Sequence, residues 1–459
     1  LNTRSIERFF SVLVGVLAAV PTLVGGFLGA PLTYDDWSLA VGARYRSFGA
    51  AFGGEARSRP LGGLWHWAEF KSLGTHPLPH AFVLASVNAA AAVLYWKLLD
   101  RWLPRRIAVL SALVWVVLAN RGSMRLWYTT SHAVFSLVLL LAAGLIASRE
   151  PFTGRRFGTV LALLVAATFL YEGGLALGGV GLLLLVWMRA ERERRNLLLT
   201  ITVVVLGAAG TWTLLTSPKL GTSPTPLRNA THLISSHFGE GVLPGYSTIL
   251  ATVTLLVVAW SLASVVLPGF KARLEERCVL VGLVVLVLGA APFMASGFPF
   301  STEGFFDRAN LFADLGTALV YGSILAMLFR LRWPAVATAL SAGVLIAFAV
   351  PNASDVSNFV RAGPDGTRLL KAVDALPPDL RTKGPMTFLP LPLRGGVAEF
   401  VADYDISGAL ALRYHTGWPY PRARMAIAQT GFTKPEGPVF QLVGDHLVRR
   451  DDAFGQPRS

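Results

Sequence analysis

Two carboxylates stand side by side in the stretch Thr33-Tyr34-Asp35-Asp36-Trp37-Ser38, immediately after a first long apolar run, Phe9 to Ala30. Adjacent acids at a membrane surface repel each other and hold their water tightly, so the pair needs a cation, a substrate hydroxyl or a basic partner beside it. Asp35 and Asp36 are therefore the candidate reaction centre, as a general base or as ligands of a divalent cation, Mg or Mn. A plainer reading has the pair stop the first helix and mark the water boundary. In a helix-to-loop turn neighbouring side chains diverge, so one carboxylate should face a cavity and the other should hold the loop. Asp35 is the favoured catalytic member, because Tyr34 and Trp37 can flank its face.

Two further stretches place charge where it costs most. Tyr171-Glu172-Gly173-Gly174 interrupts an otherwise apolar sequence from Phe157 to Met188. A charged side chain at the centre of a bilayer costs roughly 2.5–3.5 kcal/mol on insertion scales, so Glu172 either faces a polar cavity or sits at the tip of a hairpin. Phe306-Asp307-Arg308-Ala309-Asn310 opens another apolar run. Asp307 and Arg308 are adjacent and do not share a helix face, so Arg308 could point inward at an anion, or serve as a snorkelling anchor. His66, His76 and His80 with Glu69 match no compact metal-ligand spacing and read as surface residues. Among the histidines, His66 and His132 are expected beside Tyr171 and Glu172 in the lining of the substrate pocket.

The elements that must position these residues are helices in a membrane. A chain of 459 residues with 53% hydrophobic and 15% charged residues is too apolar for an ordinary soluble protein. Apolar runs fall near 9–30, 80–99, 107–119, 131–147, 157–170, 174–188, 197–216, 248–267, 278–295, 308–329 and 334–350, which predicts an all-α polytopic membrane protein of about 11 transmembrane helices. Phe9 to Ala30 lacks a clear small-x-small cleavage site and reads as a retained helix. The net charge of +14 is distributed in short clusters between the runs, as positive-inside topology requires, and not as a nucleic-acid footprint. Arg outnumbers Lys 34 to 7, a bias that fits either phosphate chemistry or GC-rich coding. The single cysteine, Cys278, excludes an intramolecular disulfide.

Strict alternation puts Arg4 and Arg8, Lys97 to Arg106, Arg149 to Arg156, Arg189 to Arg195, Lys271 to Arg277, and Arg330 with Arg332 on one side, the cytoplasmic one. The N-terminus is then cytoplasmic. The acidic pair, Arg59, Glu172, Arg308, all eight histidines and the C-terminus fall on the other side. The first external loop, 31–79, carries Trp37, Tyr45, Phe48, Phe52, Trp65 and Trp67 among Arg44, Arg46, Arg57 and Arg59, which predicts interfacial amphipathic helices. Residues 1–350 form the predicted transmembrane domain. After Pro351 the composition turns polar and mixed, so 351–459 is expected to be a small extracytoplasmic α/β domain. Within it Val439 to Val443, Gly444-Asp445 and His446 to Arg449 predict a β-hairpin. Asn229 and Asn352 begin Asn-x-Ser/Thr sequences too short to carry a function. No Gly-rich phosphate loop, HExxH or GxSxG stands in the chain, so nucleotide-driven chemistry has no support.

An acidic pair just after the first helix, an aromatic-rich loop containing Ser58-Arg59-Pro60-Leu61, about eleven spans and a small external C-terminal domain resemble GT-C superfamily integral-membrane glycosyltransferases. The layout of the whole chain is similar, and the short motifs are Asp35-Asp36-Trp37 and Arg59-Pro60-Leu61, as in bacterial members of the family. The resemblance implies transfer of a sugar from a polyprenyl-phosphate-linked donor to a glycan, lipid or protein acceptor of the cell envelope, on the outer face of the cytoplasmic membrane and with inversion. It further implies that an external acidic residue, here Asp35 or Asp36, serves as general base or metal ligand. Arg308 is assigned to the donor phosphate by its place at the mouth of a span, since no family motif covers it, and Arg59 joins it in that role.

Other readings remain open at this stage. An O-antigen-ligase-like transferase would rely on external Arg and His with a lipid-diphosphate donor, and Asp35-Asp36 argues against it. A transporter or flippase would use the carboxylates to couple ions, but no inverted internal repeat is visible. A catalytically inactive scaffold is a third.

Overall fold

The computed structural model describes residues 3–47, 55–216, 226–238, 247–267, 272–295, 304–330, 332–394, 397–400, 403–416, 423–425, 427–428, 431–432 and 437–450. Each of the eleven apolar runs is helical. Eight of these helices are long and apolar enough to cross a membrane: Ser5–Phe27, Pro77–Trp102, Tyr128–Ala147, Glu172–Arg189, Arg192–Thr213, Thr248–Val266, Leu274–Ala295 and Pro334–Val373. The chain is thus a multi-pass membrane protein. The other three, Arg105–Val117, Gly154–Leu170 and Ala313–Leu328, have 13, 17 and 16 residues and, at about 1.5 Å per residue, reach only part-way or barely across.

Their shortness has a structural use. Arg105–Val117 ends early, and the chain from Leu118 to Thr130 then runs buried through a short helix, Ser123–Leu126, and a 3-10 turn, Tyr128–Thr130. Irregular backbone at such depth is tolerated only where protein covers it. Ala313–Leu328 packs closely on Leu274–Ala295 because glycines face each other. A Cβ on Gly316 would lie 2.2 Å from the Leu286 nitrogen and 2.3 Å from the Gly282 oxygen, so only glycine permits this approach. Gly289 of Leu274–Ala295 lies against the backbone of Phe312 and Ala313, just after the 3-10 segment Gly304–Asn310, and a Cβ there would come 2.5 Å from the Phe312 carbonyl carbon.

The first external loop is helical where described, over Asp35–Tyr45, Glu55–Ser58 and Pro60–Leu73. Phe48 and Phe52 lie outside the described residues. The boundary expected at 350/351 falls inside one helix of 40 residues, Pro334–Val373, which continues through Pro351 and Pro364. Each proline removes one backbone donor without ending the helix, because the flanking turns are held by packing on both sides. The change of composition at Pro351 marks a change of surroundings and not the end of an element. Beyond it, Phe359, Leu369 and Val373 enter a second apolar core with Phe388, Phe400, Ile406 and Phe440.

That second core lies against a four-stranded sheet of order β2-β1-β3-β4, with β1 Met386–Phe388, β2 Ala423–Met425, β3 Val439–Val443 and β4 His446–Arg449. β1 is parallel to both neighbours and buried throughout, as a central strand should be. The expected hairpin is present: Val443 pairs with His446, and Gly444 takes the positive φ of 60° that the turn requires. Ala30, Leu126 and Trp127 belong to this second core, so the C-terminal unit packs directly on the segment that carries the acidic pair.

Candidate functional site

The acidic pair begins a helix, and the residue before it pays the conformational cost of the turn. Tyr34, the N-cap of Asp35–Tyr45, has φ 50° and ψ −129°. A non-glycine residue held there costs about 1–3 kcal/mol and persists only where neighbours over-determine it. Here the Tyr34 amide donates to the Glu399 carbonyl at 3.2 Å, and its ring meets Trp127 edge-on at 5.3 Å. The twist sends the two carboxylates to different surroundings.

Asp36 is fully buried. One oxygen accepts from the Thr33 amide at 2.9 Å; the other accepts from the Thr129 amide at 2.8 Å and from the Thr129 hydroxyl. The same seam is closed by Trp127 Nε1 donating to the Thr33 carbonyl at 3.1 Å and by the Tyr128 hydroxyl donating to the Ala30 carbonyl at 3.2 Å. Asp36 thus ties the first loop to the buried 127–130 segment. Burial pushes its carboxyl up to about 7, against the downward pull of the Thr129 and Thr33 hydrogen bonds. Fully buried and with both oxygens accepting from the protein, Asp36 is placed as a fastening, and Asp35 is the member of the pair that lines the neighbouring cleft.

Asp35 lines a narrow cleft with Arg59, Trp127, Thr129, His132, Tyr171 and Arg308. Of the eight residues expected from sequence, the cleft gathers five: Asp35, Arg59, His132, Tyr171 and Arg308. Glu172 and His66 stand one layer behind. Arg59 donates from Nε and Nη2 to the two oxygens of Glu172 at 2.6 and 2.5 Å, and its guanidinium lies over the Tyr171 ring at 4.6 Å. Glu172 occupies a 3-10 turn between two helices, Gly154–Leu170 and Leu175–Arg189, and the charge that would be costly there is matched by this two-point pair. Both earlier options for Glu172 miss this partner.

Arg308 stands over the Trp127 ring at 5.1 Å. Its neighbour Asp307 points the other way, accepting from the Ser123 amide at 3.2 Å and from the Ser123 hydroxyl. The divergence expected of this pair is therefore present. Asp307 anchors the buried 123–126 helix, and Arg308 is left on the cleft wall.

His132 bonds through Nδ1 to the Thr129 carbonyl at 2.6 Å, and since a carbonyl oxygen only accepts, Nδ1 carries a proton. It meets the Tyr171 ring at 5.3 Å and the His66 ring at 4.3 Å, both edge-on. His66 is buried behind it, and burial, reinforced by His132 and Arg59, holds its imidazole well below the usual histidine range. The surface reading of His66 and His80 is overturned. His80 is fully buried, between the Glu69 carboxylate at 2.9 Å and the Gly74 carbonyl at 3.0 Å. Glu69 also accepts from Ser131 at 2.7 Å, and Ser131 from Trp65 Nε1 at 2.8 Å. This chain of contacts braces the Pro60–Leu73 helix, and so Arg59 at its N-cap, against the helix that carries His132. Sequence reading missed it, although His80 eleven residues from Glu69 was a visible signal.

A second buried polar cluster also escaped. Asn120 Nδ2 donates to Asp314 at 3.0 Å, Asp314 lies 3.3 Å from His237 and 3.6 Å from Arg121, and Arg121 stacks on Trp115 at 3.7 Å. It joins the ends of the short helices below the cleft. Asn352 belongs to this framework, donating to the Val117 carbonyl at 2.9 Å and accepting from Arg125.

A divalent cation would need several oxygen or nitrogen donors around Asp35. Asp36 is fully buried with both oxygens hydrogen-bonded to Thr33 and Thr129, and among the described residues no three of His, Cys, Asp and Glu gather to hold a metal. The donor set does not fit a protein-built metal site, and no step below runs through one.

No protein-family model matches the chain, and no curated protein matches it in sequence. Among solved structures it is similar to the crystal structure of the oligosaccharyltransferase of Archaeoglobus fulgidus in complex with zinc and sulfate, at TM-score 0.44 and 11% identity, covering 91% of this chain and 62% of that one. The chain therefore spans less than two thirds of that neighbour's length, and the likeness assigns no residue a role.

Proposed function

We propose that the protein is a membrane glycosyltransferase that moves a sugar from a polyprenyl-phosphate-linked donor to a hydroxyl of a cell-envelope acceptor on the outer face of the cytoplasmic membrane, with inversion. The observation that carries this reading is the sharing of one cleft by a single carboxylate, Asp35, and two guanidinium groups, Arg59 and Arg308. A phosphate-linked sugar already has a good leaving group. Its transfer needs an acceptor base, cationic support for the departing phosphate and a cavity that joins lipid to water.

In this reading the acceptor oxygen attacks the anomeric carbon as its proton passes to Asp35. The bond from that carbon to the phosphate oxygen breaks, and the polyprenyl phosphate leaves with the electron pair, held by Arg308. Arg59 is turned by Glu172 and Tyr171 to present its remaining edge. His132 and Tyr171 supply polar and aromatic walls suited to a sugar ring. The acceptor and the identity of the sugar are set by contacts outside this set.

The test is to supply purified protein with a polyprenyl-phosphate sugar and an acceptor mixture from the cell envelope. Release of free polyprenyl phosphate together with a glycosylated acceptor supports the reading. Movement of intact lipid-linked sugar across a vesicle membrane, with no release, would replace it with a flippase.

A further inference from the structure

At the end of the bundle remote from the Asp35 cleft lies an apolar cavity of about 470 Å³. It is walled by the final turns of Pro77–Trp102 and Ser131–Ala147, by Leu175–Arg189 and by the first turns of Leu274–Ala295. Well-packed interiors hold few voids larger than a water, whose share of liquid volume is about 30 Å³, so a void of this size is built to be filled. Its lining is almost wholly aliphatic, which water does not occupy. The exposed Gly181 lies in its wall, and a Cβ added there would meet nothing within 4 Å, so the cavity is open sideways to the surrounding lipid.

The rim is basic. Arg277 lines the cavity, is exposed, and makes no ion pair with the described residues. Ser148, also in the lining, has its carbonyl held by Arg101 Nε at 3.2 Å and by Arg189 Nη1 at 3.4 Å. Arg189 lies over the Trp102 ring at 5.1 Å. The acids nearby are a weak counterweight. Glu150 stands 3.6 Å from Arg189 and is exposed, while Glu275 and Glu276 are taken by Arg330 at 2.7 Å each. An aliphatic slot open to lipid under a rim of three arginines and a tryptophan fits one ligand chemistry: a hydrocarbon chain joined to an anionic phosphate head.

We infer that this cavity binds an anionic glycerophospholipid of the leaflet remote from the cleft, one acyl chain in the slot and the phosphate at Arg277, Arg101 and Arg189. The donor's own tail is not the occupant. A layer of buried rings, Tyr171, Phe293 and Phe312, closes the inner end, with Tyr171 and Phe312 stacked at 6.2 Å. A Cβ added at Gly174 would meet both Phe312 and the cavity residue Leu140, which puts that layer between the slot and the cleft. The site is independent of the proposed transfer reaction.

The experiment uses full-length protein in detergent, titrated with phosphatidylglycerol or phosphatidylcholine and followed by retained lipid in native mass spectrometry and by Tm. Phosphatidylglycerol should bind more tightly and raise Tm. Arg277→Gln should weaken it roughly fivefold, the effect of one basic residue near a lipid head, whereas Arg361→Gln, the same loss of charge at an exposed position beside the C-terminal core, should not. Gly181→Phe, which fills the slot, should abolish retention while leaving Tm of the lipid-free protein unchanged or raised. Equal binding of both lipids, or retention unaffected by Gly181→Phe, would overturn the inference. Displacement of phosphatidylglycerol from the slot by polyprenyl phosphate at equal concentration would assign the cavity to the donor tail instead and overturn it too.

Discussion

Arg59 and Glu172, 113 residues apart in the chain, meet in a two-point ion pair at 2.5 and 2.6 Å on the wall of the cleft. The pair fixes the plane of the guanidinium, and a lysine cannot reproduce its fork. Arg59→Lys and Glu172→Gln should each lower transfer, on the order of tenfold, because small misplacements at a reacting centre are costly. Steady-state kinetics on folded protein checks this. Glu172→Gln with unchanged kcat and KM would mean that the pair only holds the fold.

Asp36→Asn should damage stability and not the rate per folded molecule. The amide keeps one oxygen acceptor where the carboxylate uses two, and leaving a buried partner unsatisfied costs about 1–3 kcal/mol. Because burial raises the carboxyl from its usual range to about 7, the folded protein binds a proton there more readily than the unfolded chain. The Asp36 contribution is complete below about pH 4 and is lost as pH rises through about 7, so Tm should fall across that window. The slope should flatten in Asp36→Asn. A variant that melts like wild type at every pH between 4 and 8 contradicts the fastening role.

Arg308→Ala should weaken donor use far more than folding, and Arg308→Lys should recover part of it, since a point charge still meets a phosphate. Donor titration against a fixed acceptor separates the two effects. Wild-type KM for donor in Arg308→Ala would return Arg308 to an anchor stacked on Trp127.

Topology offers a separate check. Reporters fused after Arg195 and Arg332 should read cytoplasm, and one at Ser459 the outer side, as the basic clusters require. A cytoplasmic Ser459 would put the C-terminal unit, and with it the cleft it packs against, on the wrong face for a lipid-linked donor outside.

The apolar runs made the helices legible because hydropathy is local, and the hairpin was legible because Gly444-Asp445 is a turn signal. The divergence of Asp35 from Asp36, and of Asp307 from Arg308, was also legible, since adjacent residues on a helical turn cannot share a face. What sequence could not disclose were the partners: Thr129 is 93 residues from Asp36, Ser123 is 184 from Asp307 and Glu172 is 113 from Arg59. The histidines His66 and His80 were misread because spacing along the chain says nothing of burial by a helix fifty residues further on. A proline followed by polar composition at Pro351 predicts a helix end, whereas packing carries the helix on to Val373.

The most direct test is the transfer rate of Asp35→Asn beside that of Asp36→Asn. If Asp35 takes the acceptor proton, its amide variant should lose about 10²–10⁴ in kcat with wild-type yield, Tm and donor binding retained. Turnover near wild type in Asp35→Asn would contradict the account, and the acidic pair would then only mark where the first helix leaves the membrane.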